Sequence, residues 1–350
     1  MSEKLIGVIA IKLEYEPLYL HLSTPFVSYK GTANILQHML VRLHWKGEVG
    51  YGVVVPAKEY GEEFETVEPA LQQYLALLAS ACPLDISSLF SKLERILPRH
   101  NAVLAAIDMA LHDLLGKIGG LSLRELLKLE SLPLPETAVT IGVMPFEESL
   151  TKVNEYADWP IIKLKMINAN IELVSEVRRI YKGRLRLDSN GAWPPEEAVS
   201  MAKKLYDYDI EFIEQPIAAG FIEDLLYVAK QSPIPIVADE DCVTPLDIQK
   251  LNGIYAINIK LLKCGGILKA LAMIQRAHAL GLKVMLGCKN ESAVGVSAIA
   301  QLGGYADFLD LDGHLNIMND PFVGLTINKG VITLPSGHGL GMTLVKKEEK

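Results

Sequence analysis

Two rhythms of apolar and polar residues divide the chain. Across residues 4–60 the alternation is extended: Ile6 to Leu13 and Gln37 to Trp45 read as strands, the second ending at Lys46-Gly47 as a hairpin would. Residues 64–130 shift to helical spacing, most clearly over Asn101–Gly116, where apolar residues recur at the helical period among good helix formers. Residues 1–130 therefore predict an α+β domain. From about residue 137 short apolar strands alternate with amphipathic stretches such as Glu196–Asp207 and Leu268–Leu280. The strands read as Val139–Met144, Ile161–Met166, Leu185–Asp188, Phe212–Glu214, Ile236–Asp239, Ala256–Lys260, Val284–Gly287 and Phe308–Asp310. Strand-helix alternation implies a parallel sheet with right-handed crossovers. Eight strands at a period near 25 residues predict a barrel over residues 131–320 rather than an open sheet. Residues 321–350 break the pattern, with a hairpin expected around Asn328-Lys-Gly330 and a return toward the first domain.

Buried parallel strands are expected to be apolar throughout, yet these end in ionisable groups: Lys163-Leu-Lys165, Asp188-Ser-Asn190, Glu214-Gln-Pro216, Asp239-Glu240, Lys260-Leu-Leu-Lys263 and Asp310-Leu-Asp312. The steps from Lys165 to Asp188, Glu214, Asp239 and Lys263 are 23, 26, 25 and 24 residues, one strand-helix unit each. A barrel gathers such positions at its C-terminal mouth, where barrels of this kind hold active sites.

Composition narrows the function. The 350 residues carry Lys+Arg 34 against Asp+Glu 42, a net charge of −8 with no basic cluster, which argues against a nucleic-acid binder or a basic membrane-surface protein. No run approaches a membrane span, and the start, Met-Ser-Glu-Lys, lacks a signal-peptide core. Cys82, Cys242, Cys264 and Cys288 are scattered without a CxxC pair, which points to reduced thiols in a cytoplasmic protein.

The strand-end set carries the chemistry. Asp188, Glu214 and Asp239 would repel one another unless a hard cation sits among them, and oxygen-only ligands suit Mg²⁺ or Mn²⁺. Lys165 and Lys263 flank the trio. A lysine beside a metal cation has its pKa lowered and can act as a general base. Two such lysines fit proton abstraction next to a metal-bound carboxylate through a metal-stabilised enediolate. Asn190, Glu240 and Lys260 are expected behind these groups, orienting a ligand or lysine.

With Ala105-Ala-Ile-Asp108-Met-Ala-Leu-His-Asp113-Leu-Leu-Gly-Lys117 and Lys263-Cys-Gly-Gly266 added, the sequence resembles the enolase superfamily in its muconate-lactonizing-enzyme-like subgroup. The resemblance covers almost the whole chain. It implies an α/β fold: a modified (β/α)₇β TIM-type barrel beneath an N-terminal α+β capping domain. It implies Mg²⁺ on Asp188, Glu214 and Asp239, Lys165 and Lys263 as the acid/base pair, and Lys163 holding the substrate carboxylate or tuning Lys165. Barrels of this kind often associate as homo-oligomers. Asp310-Leu-Asp312 is similar to the Asp-x-Asp pair of dipeptide epimerases, which holds the substrate α-ammonium group. The expected activity is 1,1-proton transfer at the α-carbon of the C-terminal residue of a dipeptide. Alternatives are o-succinylbenzoate synthase, a muconate-type cycloisomerase, or a non-catalytic binding module that kept the barrel. His314 stands where the family pattern has proline, and Lys289 where it more often has an apolar residue. Lys289 reads either as a contact for the second residue of a dipeptide, where an acidic side chain would then fit, or as an exposed loop lysine; Phe26 and Lys30 are specificity candidates in a loop over the site.

Overall fold

The computed structural model describes residues 10–28, 31–129 and 131–345. Strands β1 (Lys12–Ser28), β2 (Gly31–Trp45) and β3 (Glu48–Val54) form an antiparallel sheet in sequence order. Of the expected strand Ile6–Leu13, residues 6–9 lie outside the described residues and only Lys12 and Leu13 fall in β1; β1 runs on to Ser28 and β2 starts before Gln37, because their two backbones keep pairing from Lys12–His44 out to Ser28–Gly31 with one slip between His21 and Phe26. Lys46 and Gly47 close the β2–β3 hairpin with positive φ, 51° and 87°.

Helices α1 (Phe64–Ala79), α2 (Ile86–Ile96) and α3 (Asn101–Gly119) follow, then the short α4 (Leu123–Leu126). α3 is buried along nearly its whole length. Its alanine face lets β3 approach so closely that a Cβ on Gly50 or Gly52 would lie 2.0 Å from the carbonyl oxygen of Ala110 or Ala106. Buried acids fasten this helix to its surroundings. Glu62 accepts from the Ala102 N–H at 2.7 Å and the Val103 N–H at 3.3 Å, doing for the α3 N-terminus what its own first residues do not. Asp113 accepts from the Tyr51 and Leu340 N–H groups and from the Lys117 ammonium, joining sheet, helix and C-terminal segment.

All eight expected barrel strands are present: β4 (Val139–Ile141), β5 (Ile161–Lys165), β6 (Arg184–Asp188), β7 (Ile210–Glu214), β8 (Ile236–Ala238), β9 (Ala256–Ile259), β10 (Lys283–Gly287) and β11 (Phe308–Asp310). They pair in parallel in sequence order. Thr137 and Ala138 meet Leu309 to draw the first strand to the last. Helices α5 (Phe146–Glu155), α6 (Ile171–Ile180), α7 (Pro195–Leu205), α8 (Ile222–Gln231), α9 (Asp247–Lys250), α10 (Leu261–Cys264) with α11 (Ile267–Ala279), and α12 (Ala293–Ala300) fill the seven connections. The fold is thus α/β, a (β/α)₇β barrel with an N-terminal antiparallel-sheet domain.

Inside the barrel Phe212, Val237, Ala256, Met285 and Phe308 form a buried apolar floor. Arg186 lies between the Phe212 and Phe308 rings, its guanidinium 4.9 and 5.2 Å from their centroids, and donates to Glu211 at 2.6 Å. The tail adds β12 (Phe322–Val323), the expected hairpin β13 (Thr326–Asn328) and β14 (Val331–Thr333), and β15 (Thr343–Leu344). Phe322 packs edge-on to Tyr51 of β3, ring centroids 5.1 Å apart. Asn316 and Asn319, just beyond β11, hydrogen-bond the β1 backbone at Thr24, His21 and Tyr19. Among the described residues no helix is long and apolar enough to cross a membrane.

Burial pushes the Glu62 carboxyl up to about 7, against its backbone hydrogen bonds. The folded state therefore holds this proton more tightly than the unfolded chain, so stability falls as pH rises from the ordinary glutamate range through about 7. Glu62→Gln cannot titrate, so its stability relative to wild type should improve by up to about 3 kcal/mol between roughly pH 5 and pH 8. Denaturant unfolding at the two pH values checks this; a pH-independent difference would remove Glu62 as the titrating group.

Candidate active site

Strand register brings the ionisable strand ends to one level. Lys165 pairs with Asp188 and Asp188 with Glu214, while Glu214 pairs with Val237, placing Asp239 two residues further on. Gly287 pairs with Asp310 on the adjacent strand. Side chains alternate across a strand, so Lys163 and Lys165, Arg186 and Asp188, Phe212 and Glu214, Val237 and Asp239, Asn258 and Lys260, and Phe308 and Asp310 share the inner face. The apolar floor is one turn of this alternation, and the charged layer above it is the next.

The charged layer is densely paired. Lys163 reaches the carboxylates of Asp310, Glu214 (3.2 Å) and Asp188 (3.5 Å). Lys165 donates to Asp188 Oδ2 at 2.5 Å and Asn190 Oδ1 at 2.8 Å, and Asn190 donates on to Glu240 at 3.2 Å. Lys260 donates to Asp239 Oδ2 at 2.6 Å. Lys263 donates to Asp239 Oδ1 at 2.6 Å, and to the backbone oxygens of Asp239 at 2.5 Å and Asn258 at 2.8 Å. Asn258 donates to Glu214 Oε1 at 2.7 Å, and Asp312 accepts from the Thr140 N–H at 2.6 Å.

The electrostatics follow. Burial alone would raise the Asp239 carboxyl, but Lys260 and Lys263 hold it well below the usual carboxylate range. Glu214 is pushed up to about 8 by burial and by Asp188, with Lys163 pulling the other way. Asp312 is pushed up to about 6 by burial and by Asp310. Burial would lower Lys260, but Asp239, Glu214 and Glu240 outweigh it and keep the ammonium above its ordinary value.

These groups open onto a cavity of about 480 Å³. Lys163, Lys165, Lys260, Asp239, Glu240, Asp310 and Asp312 line it from the barrel side. Leu36, His38, Val55, Pro56, Glu59 and Tyr60 line it from the N-terminal domain. The two lysines after β9 exchange places relative to the expectation. Lys260 is on the cavity wall, whereas Lys263, expected there as an acid/base group, is fully buried with its ammonium turned onto protein oxygens. The cause is local: the chain leaves the strand after Ile259 and enters α10 at Leu261, so the inward alternation of Ala256 and Asn258 ends on Lys260. Asp188 and Glu214 are buried and do not line the cavity. Lys289 lines it and pairs with Glu59. Lys30 and the side chain of Phe26 lie outside the described residues. His314 has its imidazole pushed down to about 4 by burial.

Several supporting residues were not singled out from the sequence. Gln215, in the left-handed region at φ 37°, accepts from the Asp239 N–H through its side chain at 2.9 Å and donates to Asp241 at 2.8 Å. Asp241 in turn accepts from the Gly220 N–H at 2.7 Å. Only its place in Glu214-Gln-Pro216 marked Gln215 in the sequence; nothing marked Asp241 beyond its position next to Glu240.

Among the described residues no three acidic, histidine or cysteine side chains are gathered in cation-holding geometry, since the carboxylates are turned onto ammonium groups. The donor set nonetheless fits a hard divalent cation. Asp188, Glu214 and Asp239 are buried carboxylates on three adjacent strand ends, and oxygen donors suit Mg²⁺ or Mn²⁺. Lys163, Lys165, Lys260 and Lys263 stand among six acids, Asp188, Glu214, Asp239, Glu240, Asp310 and Asp312, leaving a formal excess of two negative charges.

Comparison with known proteins agrees with this architecture. Residues 146–349 match the family described as Enolase C-terminal domain-like. Residues 17–128 match the Mandelate racemase / muconate lactonizing enzyme N-terminal domain. The chain is 32% identical to an L-Ala-D/L-amino acid epimerase of Flavobacterium johnsoniae, over 96% of this chain and 100% of the relative. It is 33% identical to an L-Ala-D/L-Glu epimerase of Bacteroides thetaiotaomicron, over 95% of this chain and 88% of the relative. Among solved structures, a dipeptide epimerase of Enterococcus faecalis complexed with Mg and L-Leu-L-Tyr superimposes with a TM-score of 0.91 at 29% identity, covering 95% of this chain and 99% of that one. The chain belongs to the enolase superfamily, in the mandelate racemase / muconate lactonizing enzyme group, and the relatives it matches across nearly its whole length are epimerases.

Proposed function

We propose that this protein is a Mg²⁺-dependent dipeptide epimerase in which Lys165 and Lys260 exchange the α-proton of the C-terminal residue. One observation carries the reading. In the ring of eight strands, β5 with Lys165 and β9 leading into Lys260 are four strands apart, on opposite sides of the mouth. β7, the centre of the acid trio, and β11 with Asp310 are likewise four apart, so the two axes cross. A dipeptide laid along the acid axis puts its carboxylate at the trio and its ammonium at Asp310 and Asp312, with one lysine over each face of the α-carbon between them. Among the described residues Asp310 Oδ1 is a buried acceptor with no hydrogen-bond partner, suited to an ammonium donor. The named activities of the relatives support the same reading.

Asp188, Glu214 and Asp239 would hold the divalent cation, Mg²⁺ or alternatively Mn²⁺. When bound it supplies the positive charge that offsets both the carboxylates gripping the lysines and the charge gathering on the substrate carboxylate. The amine form of one lysine removes the α-proton, and the ammonium of the other delivers a proton to the opposite face. Lys165 is aimed by Asp188 and Asn190, and Lys260 by Asp239. Lys163 fills the space between the acid trio and Asp310 and keeps those carboxylates apart. Lys289 pairs with Glu59 on the wall toward the N-terminal domain, beside the apolar Leu36, Val55 and Pro56. That wall suits an uncharged second side chain rather than the acidic one a lone lysine would take.

Incubating a panel of L,L-dipeptides with the protein and Mg²⁺ in D₂O tests the reading by α-deuteration. Exchange should be fastest with uncharged second residues. A strong preference for acidic ones would contradict the pairing argument, and turnover of a different acid with no dipeptide exchange would sink the assignment. Lys165→Ala and Lys260→Ala should each lower epimerisation by about 10²-fold or more, while each still exchanges the proton of one diastereomer. Epimerisation retained in either variant would refute the two-lysine assignment. Asp312→Asn should raise KM about 30-fold with a smaller effect on kcat. An unchanged KM would favour a substrate without an ammonium group, as for a cycloisomerase or o-succinylbenzoate synthase.

A further inference from the structure

Lys263 is left without a catalytic task by this geometry, yet it is among the largest fully buried side chains of the molecule. Its ammonium makes three hydrogen bonds, all to protein oxygens: Asp239 Oδ1, Asp239 O and Asn258 O. A buried ammonium is retained where its charge and all its protons are matched. Asp239 Oδ1 is its one ion-pair partner among the described residues. The other oxygen of the same carboxylate, Oδ2, faces Lys260 at 2.6 Å. Asn258, whose carbonyl Lys263 also holds, fixes Glu214 Oε1 through its side chain. One ammonium therefore sets the orientation of Asp239 directly and touches the strand that orients Glu214.

The backbone under Lys263 is held from outside the barrel. Asn101, the first residue of α3, donates its side-chain amide to the Lys263 carbonyl at 2.6 Å. Asp108, two turns along α3, accepts from the Ile267 and Leu268 N–H groups at the start of α11. Between them Gly266 has φ 119°, and a Cβ there would lie 2.4 Å from Asp108 Oδ2. Both flanks of the turn that carries Lys263 are thus seated on α3, which explains why Asp108 is buried in an otherwise apolar stretch of that helix.

We propose that Lys263 is a positioning residue: its buried ammonium locks the Asp239 carboxylate so that Oδ2 is presented to Lys260 and the cavity, and α3 holds Lys263 in place through Asn101 and Asp108. Lys263 takes and gives no proton in the reaction; it acts through Asp239 on cation binding. The inference rests on the proposed epimerase site for its catalytic consequence, but its first readout requires no dipeptide.

The test is Mn²⁺ titration followed by electron paramagnetic resonance, with α-deuterium exchange from L,L- and L,D-dipeptides as the second readout, on wild type, Lys263→Met and Lys260→Ala. Lys263→Met should unfold cooperatively and bind Mn²⁺ about 10- to 100-fold more weakly, the range seen when a group behind a metal ligand is removed. Its exchange from both diastereomers should fall by a common factor, unlike Lys260→Ala, which should lose one diastereomer selectively. Unchanged Mn²⁺ affinity in Lys263→Met, or selective loss of one diastereomer, would overturn the proposal, the latter by marking Lys263 as an acid/base group. If Lys263→Met does not fold, Asn101→Ala decides, since it keeps the ammonium and removes its seat. There Mn²⁺ affinity should weaken about threefold or more, in line with one lost hydrogen bond, and unchanged affinity would overturn the proposal. Wild type that binds Mn²⁺ but exchanges no dipeptide would defeat the function reading while leaving the Lys263 comparison of affinities intact.

Discussion

The structure turns on one constraint: a layer of ionised groups is buried above an apolar floor, and each charge must be met within the barrel. Moving a carboxylate or ammonium out of water costs several kcal/mol unless partners are placed for it. The strands place them by register, neighbouring strand ends pairing Lys165 with Asp188 and Lys260 with Asp239, while Lys163 on β5 reaches past β6 to Glu214 on β7. The floor of Phe212, Val237, Ala256, Met285 and Phe308 keeps water from below and strengthens each of these pairs. In formal count the acids of this layer outnumber its ammonium groups by two. The acids gather in two places, the trio at β6 to β8 and the Asp310–Asp312 pair at β11.

Helix α3 extends this constraint beyond the barrel. It is apolar enough to be buried on nearly all sides, and its polar residues are spent on other segments. Asn101 and Asp108 seat the turn after β9, Asp113 ties β3 to the C-terminal segment, and Glu62 ties the helix start to the loop before α1. The N-terminal domain thereby supplies one wall of the cavity and also the support under one side of the charged layer.

Much of this was legible in the sequence, and the reasons are physical. The eight barrel strands were readable because buried parallel strands are short apolar runs at a regular period, and the charges at their ends broke that pattern at the same phase each time. Lys263 lies buried and Lys260 on the cavity wall although counting one repeat from Asp239 gives 24 residues, close to the mean step, because orientation depends on parity within the strand. Ala256, Asn258 and Lys260 alternate inward, a parity already carried by their spacing in the sequence. The pairing of Lys289 with Glu59 joins residues 230 apart and depends on how two domains meet, which local pattern does not carry. The extra length of β1 and β2 has the same origin: it follows from their pairing with each other, since the alternation of apolar residues along each is weak past its first part.

In the proposed reaction two lysines on opposite sides of the mouth serve opposite faces of one α-carbon. The most direct measurement follows the label in a single turnover. An L,L-dipeptide deuterated at the α-carbon of its C-terminal residue is mixed with excess enzyme and Mg²⁺ in H₂O, and the first L,D product is analysed by mass spectrometry. Removal by one lysine and delivery by the other predicts product that has lost its deuterium. Product that keeps the α-deuterium would mean a single group carries the same hydrogen from one face to the other, and would contradict the account.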